Sequence, residues 1–471
     1  MTLPEQRALV ENPALDDDLT AIAEARGLAT QARAAFEQAL HEPQEVLDGW
    51  VAAMAAAGTA AAEELARLAV DETGYGVYEH KVIKNRFNTV HVAQWISTLR
   101  CKGVLWRDER ARVLAIGEPM GPIAAIIPVT NPTSTVLFKC LAAVKSGNSV
   151  VCSPHPRAVA CCRRAAEVVS AAATEAGAPP GMISCLTRPV LAATRELMEH
   201  PAIAVVLATG GSEMVRAAYS CGKPTLAVGP GNAPAYIHRS VSSAAQAAAM
   251  IVASKSFDNG TACVAEQAVV VDADLAGEVE AAFVSEGTAF LGEPDALALG
   301  RLLLTPDGRI NPRAVGQSAE RLAEMCSFRV PTGTKMLAAW LDEVGPDVPL
   351  SLEKLAPVLA FYKAASVEEG ERTCRSVRAH GGEGHTLTIH AEDPDVVARF
   401  AALPASRILI NCPALFAGMG YSAALDPSFM LGTGTWGGSV VSDNVTPLHL
   451  INIKRVAAER RPWQALFETG S

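Results

Sequence analysis

Short apolar runs alternate with amphipathic stretches along the middle of the chain. The runs GPIAAIIPVT, NSVVCSP and AIAVVLATG are almost continuously apolar, as strands buried on both faces of a sheet are. Between them lie stretches with helical spacing, such as RAVACCRRAAEVVSAAATEAG. This alternation predicts an α/β fold with a parallel sheet covered by helices on both faces. Ligands of such sheets bind beyond the carboxyl ends of the strands.

Helical spacing also covers the alanine-rich region from residue 15 to about residue 97. Within it, WVAAMAAAGTAAAEELARLAVDETG predicts one long helix that ends at Gly74, because glycine readily adopts the left-handed conformation of a helix C-terminus. The next segment, GVLWRDERARVLAIGEP, has two apolar arms around a polar centre and predicts a β-hairpin.

A second series of strands and helices begins near residue 244 and includes the runs QAVVVDAD, APVLAFYKA, HTLTIHA and SRILINCP. It predicts a second α/β unit. The tail is glycine-rich and then strand-like, in LINIKRVA. Because this strand follows so far behind the sheets, we expect it to pair with another subunit.

Composition narrows the class of protein. A chain of 471 residues is too long for one hydrophobic core, so we expect two or three domains. The net charge of −10 without any basic run argues against nucleic acid and anionic membranes as partners. The acidic start is not a secretory signal, and no stretch approaches the ~18 apolar residues of a spanning helix. We therefore expect a cytoplasmic protein. Eleven cysteines without a CxxC pair indicate neither a disulfide framework nor a zinc knuckle.

Two motifs resemble ligand sites but lack the flanking elements or the spacing that such sites require. The sequence GTGTWG at residues 432–437 fits GxGxxG, but it stands between DPSFML and the strand-like SVVS and not between a strand and a helix. We interpret it as a turn. His380, His385 and His390 are spaced five residues apart, which matches no metal motif, so we expect no metal site there.

Two strand ends have polar residues suited to a nucleotide. In ATGGSEMVRAAY a strand ends in TGG and a helix begins at Ser212, which can cap it. Such a helix start binds phosphate well, although an ordinary glycine turn explains the motif equally. SPHPRA ends another strand, where an adenine ribose binds in such folds. Its Arg157 suits either a phosphate contact or a solvated helix start.

The segment FDNGTACVAEQ places Cys263 after a turn-forming pair and before a strand. Asp258 and Glu266 are its charged neighbours in the segment, and they would raise the pKa of the thiol if they lay close to it. The local sequence therefore leaves open a catalytic thiol and a buried cysteine at a strand edge.

These segments, in this order, resemble the coenzyme-A-acylating branch of the aldehyde dehydrogenase superfamily over roughly residues 80 to 460. The motifs that carry the resemblance are EPMGPIAAIIPVTNPTSTVLFKCLAAVKSGNSVVCSPHPRA, ATGGSEMVRAAYSCGKPTLAVGPGN, SFDNGTACVAEQ and GTWGGSVVSDNVTPLHLINIK. It implies a dinucleotide-binding domain, an oligomerisation hairpin with a C-terminal strand, and a catalytic domain. We place the dinucleotide-binding domain at residues 1–98 and 117–243. The oligomerisation hairpin and the C-terminal strand fall at residues 99–116 and 439–471, and the catalytic domain at residues 244–438.

The resemblance also implies residue roles. Cys263 falls on the nucleophile of the family and Asn131 on the side-chain donor to the oxyanion, with the Cys263 backbone N–H as its partner. Glu353 matches the glutamate that holds the nicotinamide ribose. The pyrophosphate turn and the adenine-ribose side would come from Thr209, Gly210 and Gly211, and from Ser153, His155 and Arg157. The implied cofactor is NAD or NADP.

One departure from the family pattern concerns the acyl acceptor. Hydrolytic members have a glutamate that activates water, and the corresponding position in LAVGPGN is Ala227. Alanine cannot move a proton, whereas a thiol needs less activation than water because its pKa is far lower. The resemblance therefore implies coenzyme A as co-substrate, entering through the dinucleotide channel after the reduced cofactor leaves.

The aldehyde and the assembly are less sharply indicated. FDNGTxCxxEQ and KVIKNRF are similar to acylating sulfoacetaldehyde dehydrogenases, so sulfoacetaldehyde leads, with acetaldehyde, propanal and succinate semialdehyde as alternatives. No iron-dependent alcohol dehydrogenase segment follows, so we expect a stand-alone enzyme. The family resemblance implies a homodimer or homotetramer.

Three other functions stay open. AVGPGN with ATGGSEMVRAAY also resembles histidinol dehydrogenase, which needs a metal site. A cysteine acyltransferase without redox chemistry would use Cys263 alone. A catalytically silent binding subunit is the third alternative, and the joint presence of Cys263, Asn131 and Glu353 argues against it.

Overall fold

The N-terminal region is helical, as predicted. The structure is a computed structural model that describes residues 13–305 and 307–467. Its first elements are α1 (Pro13–Ala39), α2 (Gln44–Ala60), α3 (Ala62–Thr73), α4 (Tyr78–Arg86), a π-helical segment (Phe87–Val92) and α5 (Ala93–Ser97). Helix α2 packs on one face of the first sheet, where Leu47, Trp50 and Met54 are buried, and α1 packs mainly in the apolar cluster on the other face.

The prediction of one long helix ending at Gly74 is wrong in one respect. Gly74 does end the helix in the left-handed conformation, with φ 70°. However, the helix is broken at Ala61 (φ −86°, ψ 1°), which separates α2 from α3. Just before the break, the Thr59 hydroxyl donates to the Ala55 carbonyl at 2.8 Å. Such a bond to the preceding turn bends helices, which explains why alanine content alone misses the break.

The predicted hairpin is present. Strands β1 (Gly103–Asp108) and β2 (Val113–Pro119) pair antiparallel, and the polar segment between them forms the turn. Arg112 adopts a positive φ of 55° there. The hairpin lies outside both large sheets.

The first large sheet has five parallel strands in the order β5-β4-β3-β6-β7. In chain order the elements are β3 (Ile123–Ile127), α6 (Pro132–Lys145), β4 (Val150–Pro154), α7 (Val159–Glu175), β5 (Ile183–Cys185), α8 (Leu191–Glu199), β6 (Val205–Thr209), α9 (Ser212–Tyr219) and β7 (Thr225–Val228). Buried clusters lie on both faces, so the prediction of a parallel sheet covered on both sides is confirmed.

The second sheet has seven parallel strands in the order β10-β11-β12-β9-β8-β13-β14. Its strands are β8 (Ala233–Ile237), β9 (Glu266–Asp272), β10 (Thr288–Phe290), β11 (Met336–Trp340), β12 (Val358–Ala364), β13 (Gly384–His390) and β14 (Ala405–Ile410). The helices are α10 (Ala244–Ser256), α11 (Ala276–Ser285), α12 (Glu293–Leu303), α13 (Ala319–Met325), α14 (Val367–Ala379), α15 (Pro394–Ala401) and α16 (Ala414–Gly418).

Two features of the C-terminal half differ from the expectations. Strand β8 belongs to the second sheet, so the chain changes sheets before residue 233 and not near residue 243. The final strand, β15 (Ile451–Ala457), pairs antiparallel with β2 of the same chain and completes a three-stranded sheet. Residues 435–437 form a short 3-10 turn followed by Gly438 at φ 71°, so the GTGTWG motif is a turn, as interpreted.

Short 3-10 segments complete the described elements, at Phe257–Gly260, Ala273–Leu275, Pro349–Ser351, Pro447–Leu450 and Trp463–Leu466. No helix in residues 13–305 and 307–467 combines the length and the apolar character that a membrane crossing requires.

Candidate active site

A cavity of about 320 Å³ lies where the two large sheets meet. The first sheet contributes residues at or just beyond the carboxyl ends of its strands, such as Thr209 and Val228. The second sheet contributes residues that precede the amino ends of its strands, such as Cys263 before β9 and Glu353 before β12. Seven residues singled out from the sequence line it, namely Asn131, His155, Thr209, Gly210, Gly211, Cys263 and Glu353.

Cys263 is half-buried and contacts a histidine that the sequence analysis considered only as a metal ligand. The distance from its Sγ to Nε2 of His385, at the start of β13, is 3.2 Å. Burial, and next the Glu353 carboxylate, raise the pKa of the Cys263 thiol to about 12. Asp258 and Glu266, the charged neighbours of Cys263 in the sequence, are hydrogen-bonded to Lys84 and to Ser254. The thiol therefore needs a proton acceptor to react near neutral pH.

His385 is suited to accept that proton. It is fully buried, and burial with the neighbouring Arg407 holds the pKa of the imidazole well below its usual value, so the ring is neutral at pH 7. A ring protonated on Nδ1 donates to the Thr386 hydroxyl at 2.9 Å and leaves Nε2 free for the thiol proton. The close packing of the Cys263 and His385 segments requires glycine at position 231, because a Cβ there would lie 2.3 Å from the Cys263 carbonyl oxygen.

The other two histidines of the predicted series lie elsewhere. Nδ1 of His380 is 2.9 Å from the Ser376 carbonyl oxygen, at the end of α14. His390 is buried at the opposite end of β13. The five-residue spacing therefore carried no signal for His385, which is 122 positions from Cys263 in sequence. Only the pairing of β13 with β8, itself next to β9, brings the two residues together.

Asn131 stands at the N-cap of α6 with its side chain fixed at both ends. Its Oδ1 accepts from Nζ of Lys84 at 2.6 Å, and its Nδ2 donates to the Thr261 carbonyl at 2.9 Å. Lysine has no acceptor, so the atom facing Lys84 must be the oxygen. The amide nitrogen is thereby directed toward the segment that carries Cys263. Lys84 lines the cavity and was not singled out from the sequence.

Glu353 is a half-buried carboxylate close enough to the thiol to affect its titration. Burial raises its own pKa to about 7, against the Gly231 N–H, which donates to it at 2.9 Å. Behind it, Nζ of Lys255 donates to the Gln267 side chain at 2.8 Å and to the Lys354 carbonyl at 2.9 Å. This network fixes the segment that presents Glu353 to the cavity.

The residues on the nucleotide side fit a dinucleotide phosphate. Helix α9 begins without a side-chain cap, and its N-cap is Gly211, so the expectation that Ser212 caps it is wrong. Gly210 and Gly211, which immediately precede α9, line the cavity. The Thr209 hydroxyl is buried there and has no hydrogen-bond partner among the described residues. Uncapped amides at a helix start and an unsatisfied hydroxyl are what an anionic phosphate would satisfy.

Two predicted contacts on the ribose side are directed away from the cavity. The Ser153 hydroxyl is buried and lies 2.9 Å from the Thr194 hydroxyl. The Arg157 guanidinium donates to the Tyr75 hydroxyl at 2.7 Å and to the Thr73 carbonyl at 3.1 Å. Only His155 of that group lines the cavity.

The position of the absent glutamate also differs from the expectation. Ala227 is fully buried in an apolar cluster on the outer face of the first sheet. The neighbouring Val228 lines the cavity instead. Among the described lining residues, Glu353 is the sole carboxylate.

The side of the cavity beyond Cys263 is apolar. Its walls include Leu415 and Met419 at α16, and Phe429 and Leu431 in the following loop. Lys84 is the one lysine or arginine among the described residues that line the whole cavity.

Comparison with known proteins identifies relatives along nearly the whole chain. Residues 7–337 match the aldehyde dehydrogenase family. An aldehyde-alcohol dehydrogenase of Streptococcus pneumoniae is 42% identical over 412 residues, which are 85% of this chain and 46% of that protein. The chain thus spans about half the length of such curated relatives. An acylating sulfoacetaldehyde dehydrogenase of Cupriavidus necator is 34% identical over 449 residues, 93% of this chain and 90% of the relative.

Solved structures share the architecture. An acetylating aldehyde dehydrogenase from Geobacillus thermoglucosidasius has a TM-score of 0.93 at 44% identity, over 94% of this chain and 98% of that one. A propionaldehyde dehydrogenase from Rhodopseudomonas palustris, with bound coenzyme A and an acylated cysteine, has a TM-score of 0.84 at 26% identity. That match covers 92% of this chain and 97% of the other.

Proposed function

The chain belongs to the aldehyde dehydrogenase family, and we propose that it is a coenzyme-A-acylating member that oxidises a short, uncharged aldehyde with NAD. The observation that carries the proposal is the 3.2 Å contact between the Cys263 thiol and a neutral His385, beside a cavity at which β7 ends in Val228 and not in a carboxylate. The acyl-cysteine and coenzyme A of the R. palustris relative support the same chemistry.

The first half-reaction uses the paired residues. His385 Nε2 takes the thiol proton while Cys263 Sγ bonds to the aldehyde carbon, and the carbonyl electrons move to oxygen. Asn131 Nδ2 and the Cys263 backbone N–H stabilise that oxyanion. The nicotinamide cofactor supplies the acceptor for the hydride that leaves this carbon. The oxyanion electrons reform the C=O bond, which leaves a thioester on Cys263.

The second half-reaction transfers the acyl group to a thiol. The thiolate of coenzyme A adds to the thioester carbon and Cys263 leaves, so aldehyde, NAD and coenzyme A become acyl-coenzyme A, reduced cofactor and one proton. Water is a poor competitor here, because β7 ends in Val228 and so supplies no base to the cavity. Its apolar walls also limit the access of water.

The aldehyde site favours an uncharged chain over sulfoacetaldehyde. An ammonium has three donors. Nζ of Lys84 already donates three hydrogen bonds, to Asn131, Asp258 and Thr261, at 2.6, 2.6 and 3.1 Å. No donor of Lys84, the one lysine or arginine among the described lining residues, remains for a sulfonate or a carboxylate. The walls around Leu415, Met419 and Phe429 are apolar. We therefore place acetaldehyde and propanal ahead of sulfoacetaldehyde and succinate semialdehyde.

The pairing of Arg157 supports NAD over NADP. A 2′-phosphate needs a cation that can turn toward it, and the Arg157 guanidinium is held by Tyr75 and Thr73. The guanidinium also stacks on the Tyr75 ring, 4.8 Å from its centroid. Moving it to a phosphate would break all three contacts.

The test is nicotinamide reduction by the purified protein with acetaldehyde, propanal, succinate semialdehyde and sulfoacetaldehyde. Each aldehyde is assayed with and without coenzyme A, and with NAD or NADP. We expect sustained turnover only with coenzyme A, best with NAD and the uncharged aldehydes. Turnover that ignores coenzyme A would overturn the acylating function, and preference for sulfoacetaldehyde would overturn the substrate class.

Two variants separate this function from its rivals. Cys263→Ala should abolish product formation while dinucleotide binding is retained, and Cys326→Ala, a partly exposed cysteine outside the cavity, should be active. A cysteine acyltransferase would exchange acyl groups without reducing any cofactor. A silent binding subunit would show neither reaction, and Cys263→Ala would then change nothing.

A further inference from the structure

Two buried lysines and one aspartate form a cluster beside the proposed oxyanion site. Lys81 and Lys84 lie one turn apart on α4, and each places Nζ on the Oδ2 atom of Asp258, at 3.1 and 2.6 Å. All three side chains are at most 3% exposed. Burying three charges is costly unless each is paired and hydrogen-bonded, so the cluster calls for a functional explanation.

Asp258 is anchored firmly enough to act as a fixed support. It adopts a left-handed backbone conformation, φ 52° and ψ 37°, which is strained for a residue other than glycine. Its Oδ1 accepts from the Val77 N–H at 2.7 Å, and its backbone N–H donates to Nδ1 of His80 at 2.8 Å. Lys84 lowers the pKa of this carboxyl against its burial, so it is ionised at pH 7.

Lys84 and Lys81 differ in their remaining contacts. Nζ of Lys84 donates to Oδ1 of Asn131 and to the Thr261 hydroxyl, and so joins the oxyanion donor to the segment before Cys263. Nζ of Lys81 donates to the Thr130 carbonyl at 3.1 Å and, within the part of the chain that the structure describes, makes no hydrogen bond to the Asn131 side chain. Burial lowers the pKa of Lys84 to about 8, so its ammonium predominates at pH 7.

We propose that Lys84 is the positioning residue of the oxyanion site: anchored on Asp258, it holds the Asn131 amide with Nδ2 toward the reacting carbon and sets its positive charge behind that amide. The inference rests on the proposed function, because it assigns Lys84 a role in the same reaction. Without Lys84 the amide would be held only through Nδ2, by the Thr261 carbonyl at 2.9 Å and the Thr130 hydroxyl at 3.3 Å, and it could rotate its oxygen toward the developing oxyanion, which the oxygen would repel. A hydrogen bond from a charged donor prevents that rotation and polarises the N–H groups.

The test compares Lys84→Met with Lys81→Met. Both variants remove one buried ammonium from Asp258, but only Lys84→Met releases the Asn131 amide. We expect kcat of Lys84→Met to fall by about 10- to 100-fold, as for a misplaced catalytic group, with KM for coenzyme A little changed. Lys81→Met should lose thermal stability to a similar degree and much less kcat. Lys84→Gln, which keeps a donor for Oδ1, should recover part of the loss.

A double variant shows whether Lys84 acts through Asn131. Asn131→Ala alone should cost about 10²–10³ in kcat. If Lys84 serves only to orient that amide, Lys84→Met combined with Asn131→Ala should be no slower than Asn131→Ala. Multiplicative losses in the double variant, or equal losses of kcat in Lys84→Met and Lys81→Met, would overturn the proposal. Absence of coenzyme-A-dependent turnover in the unmodified protein would instead overturn the proposed function, which keeps the two failures distinct.

Discussion

At the scale of single residues, the reactivity of Cys263 depends on a partner from a distant strand. Burial raises the pKa of the thiol to about 12, so the free thiol is almost wholly protonated at neutral pH. The neutral Nε2 of His385 is the acceptor that the geometry offers. General acid–base groups of this kind contribute about 10²–10⁴ in rate.

His385→Ala should therefore slow alkylation of Cys263 by iodoacetamide by at least about tenfold at neutral pH, and move its pH dependence to higher pH. The rate of inactivation across pH measures both effects. His380→Ala is the matched control, because that imidazole contacts the Ser376 carbonyl and does not line the cavity. An unchanged pH profile in His385→Ala would exclude His385 as the proton acceptor.

We expect different effects from a glutamate introduced at Val228 and at the adjacent Ala227. Val228 lines the cavity, so Val228→Glu should bring a base to the thioester and allow cofactor reduction without coenzyme A. Ala227 is fully buried among apolar residues, so Ala227→Glu should lower the thermal midpoint, since an unpaired buried carboxylate costs several kcal/mol. Val228→Gln controls for size without supplying a base. Acid production by Ala227→Glu and not by Val228→Glu would reverse the assignment of the two faces.

At the scale of elements, Glu266 ties the strand after Cys263 to the helix that lines the aldehyde site. It opens β9, its Oε1 accepts from the Ala414 N–H at 2.9 Å, and its Oε2 binds the Ser254 hydroxyl. Ser254 accepts from the Leu415 N–H at 3.0 Å, and Leu415 is a wall of the cavity. Burial raises the pKa of Glu266 to about 7.

This raised pKa gives a stability that depends on pH. Between about 4.5 and 7 the folded state keeps the proton that the unfolded state has lost, so stability falls as pH rises through that window. Glu266→Gln imitates the protonated form and should flatten this fall, which makes the variant progressively more stable than the unmodified protein toward pH 7. Glu353, whose pKa is also raised to about 7, is present in both proteins and cancels in the comparison. Thermal midpoints over the pH window are the measurement. If the thermal midpoints of Glu266→Gln and the unmodified protein differed by the same amount at every pH, Glu266 would not be the group that titrates in this window.

Elements were more predictable than the contacts between them. Strands such as β3 and β4 are apolar on both faces, and this alone fixes their type and the parallel sheet. The break at Ala61 was missed because it depends on the Thr59 hydroxyl and not on composition. His385 and Lys84 were missed for a different reason. Their roles arise from strand order and helix packing, which join residues 122 and 47 positions from their partners.

At the scale of the whole molecule, the site exists because the two sheets meet in opposite senses. The carboxyl ends of the first sheet present Thr209 and the Asn131 turn, as the general rule for parallel sheets predicts. The second sheet presents the amino ends of its strands, with Cys263 and His385 close to them. The family resemblance singled out Cys263 and Asn131, which both line the cavity, whereas no local pattern could indicate that the second sheet is used from its amino edge.

The three-stranded sheet of β1, β2 and β15 carries the last prediction, which concerns assembly. Val104, Trp106, Ile453 and Val456 are 44%, 45%, 47% and 55% exposed on it. Both outer strands, β1 and β15, have an edge without a partner strand within the described residues. Exposed apolar side chains together with open strand edges favour association with another chain. We expect a homodimer or homotetramer that uses this sheet.

The double variant Trp106→Glu with Ile453→Glu should convert this oligomer to a smaller species in size-exclusion chromatography with light scattering, because a charge at the interface is costly to bury. Val440→Glu, at a residue 69% exposed outside this sheet, is the control. An unchanged molar mass in the double variant would place the interface elsewhere.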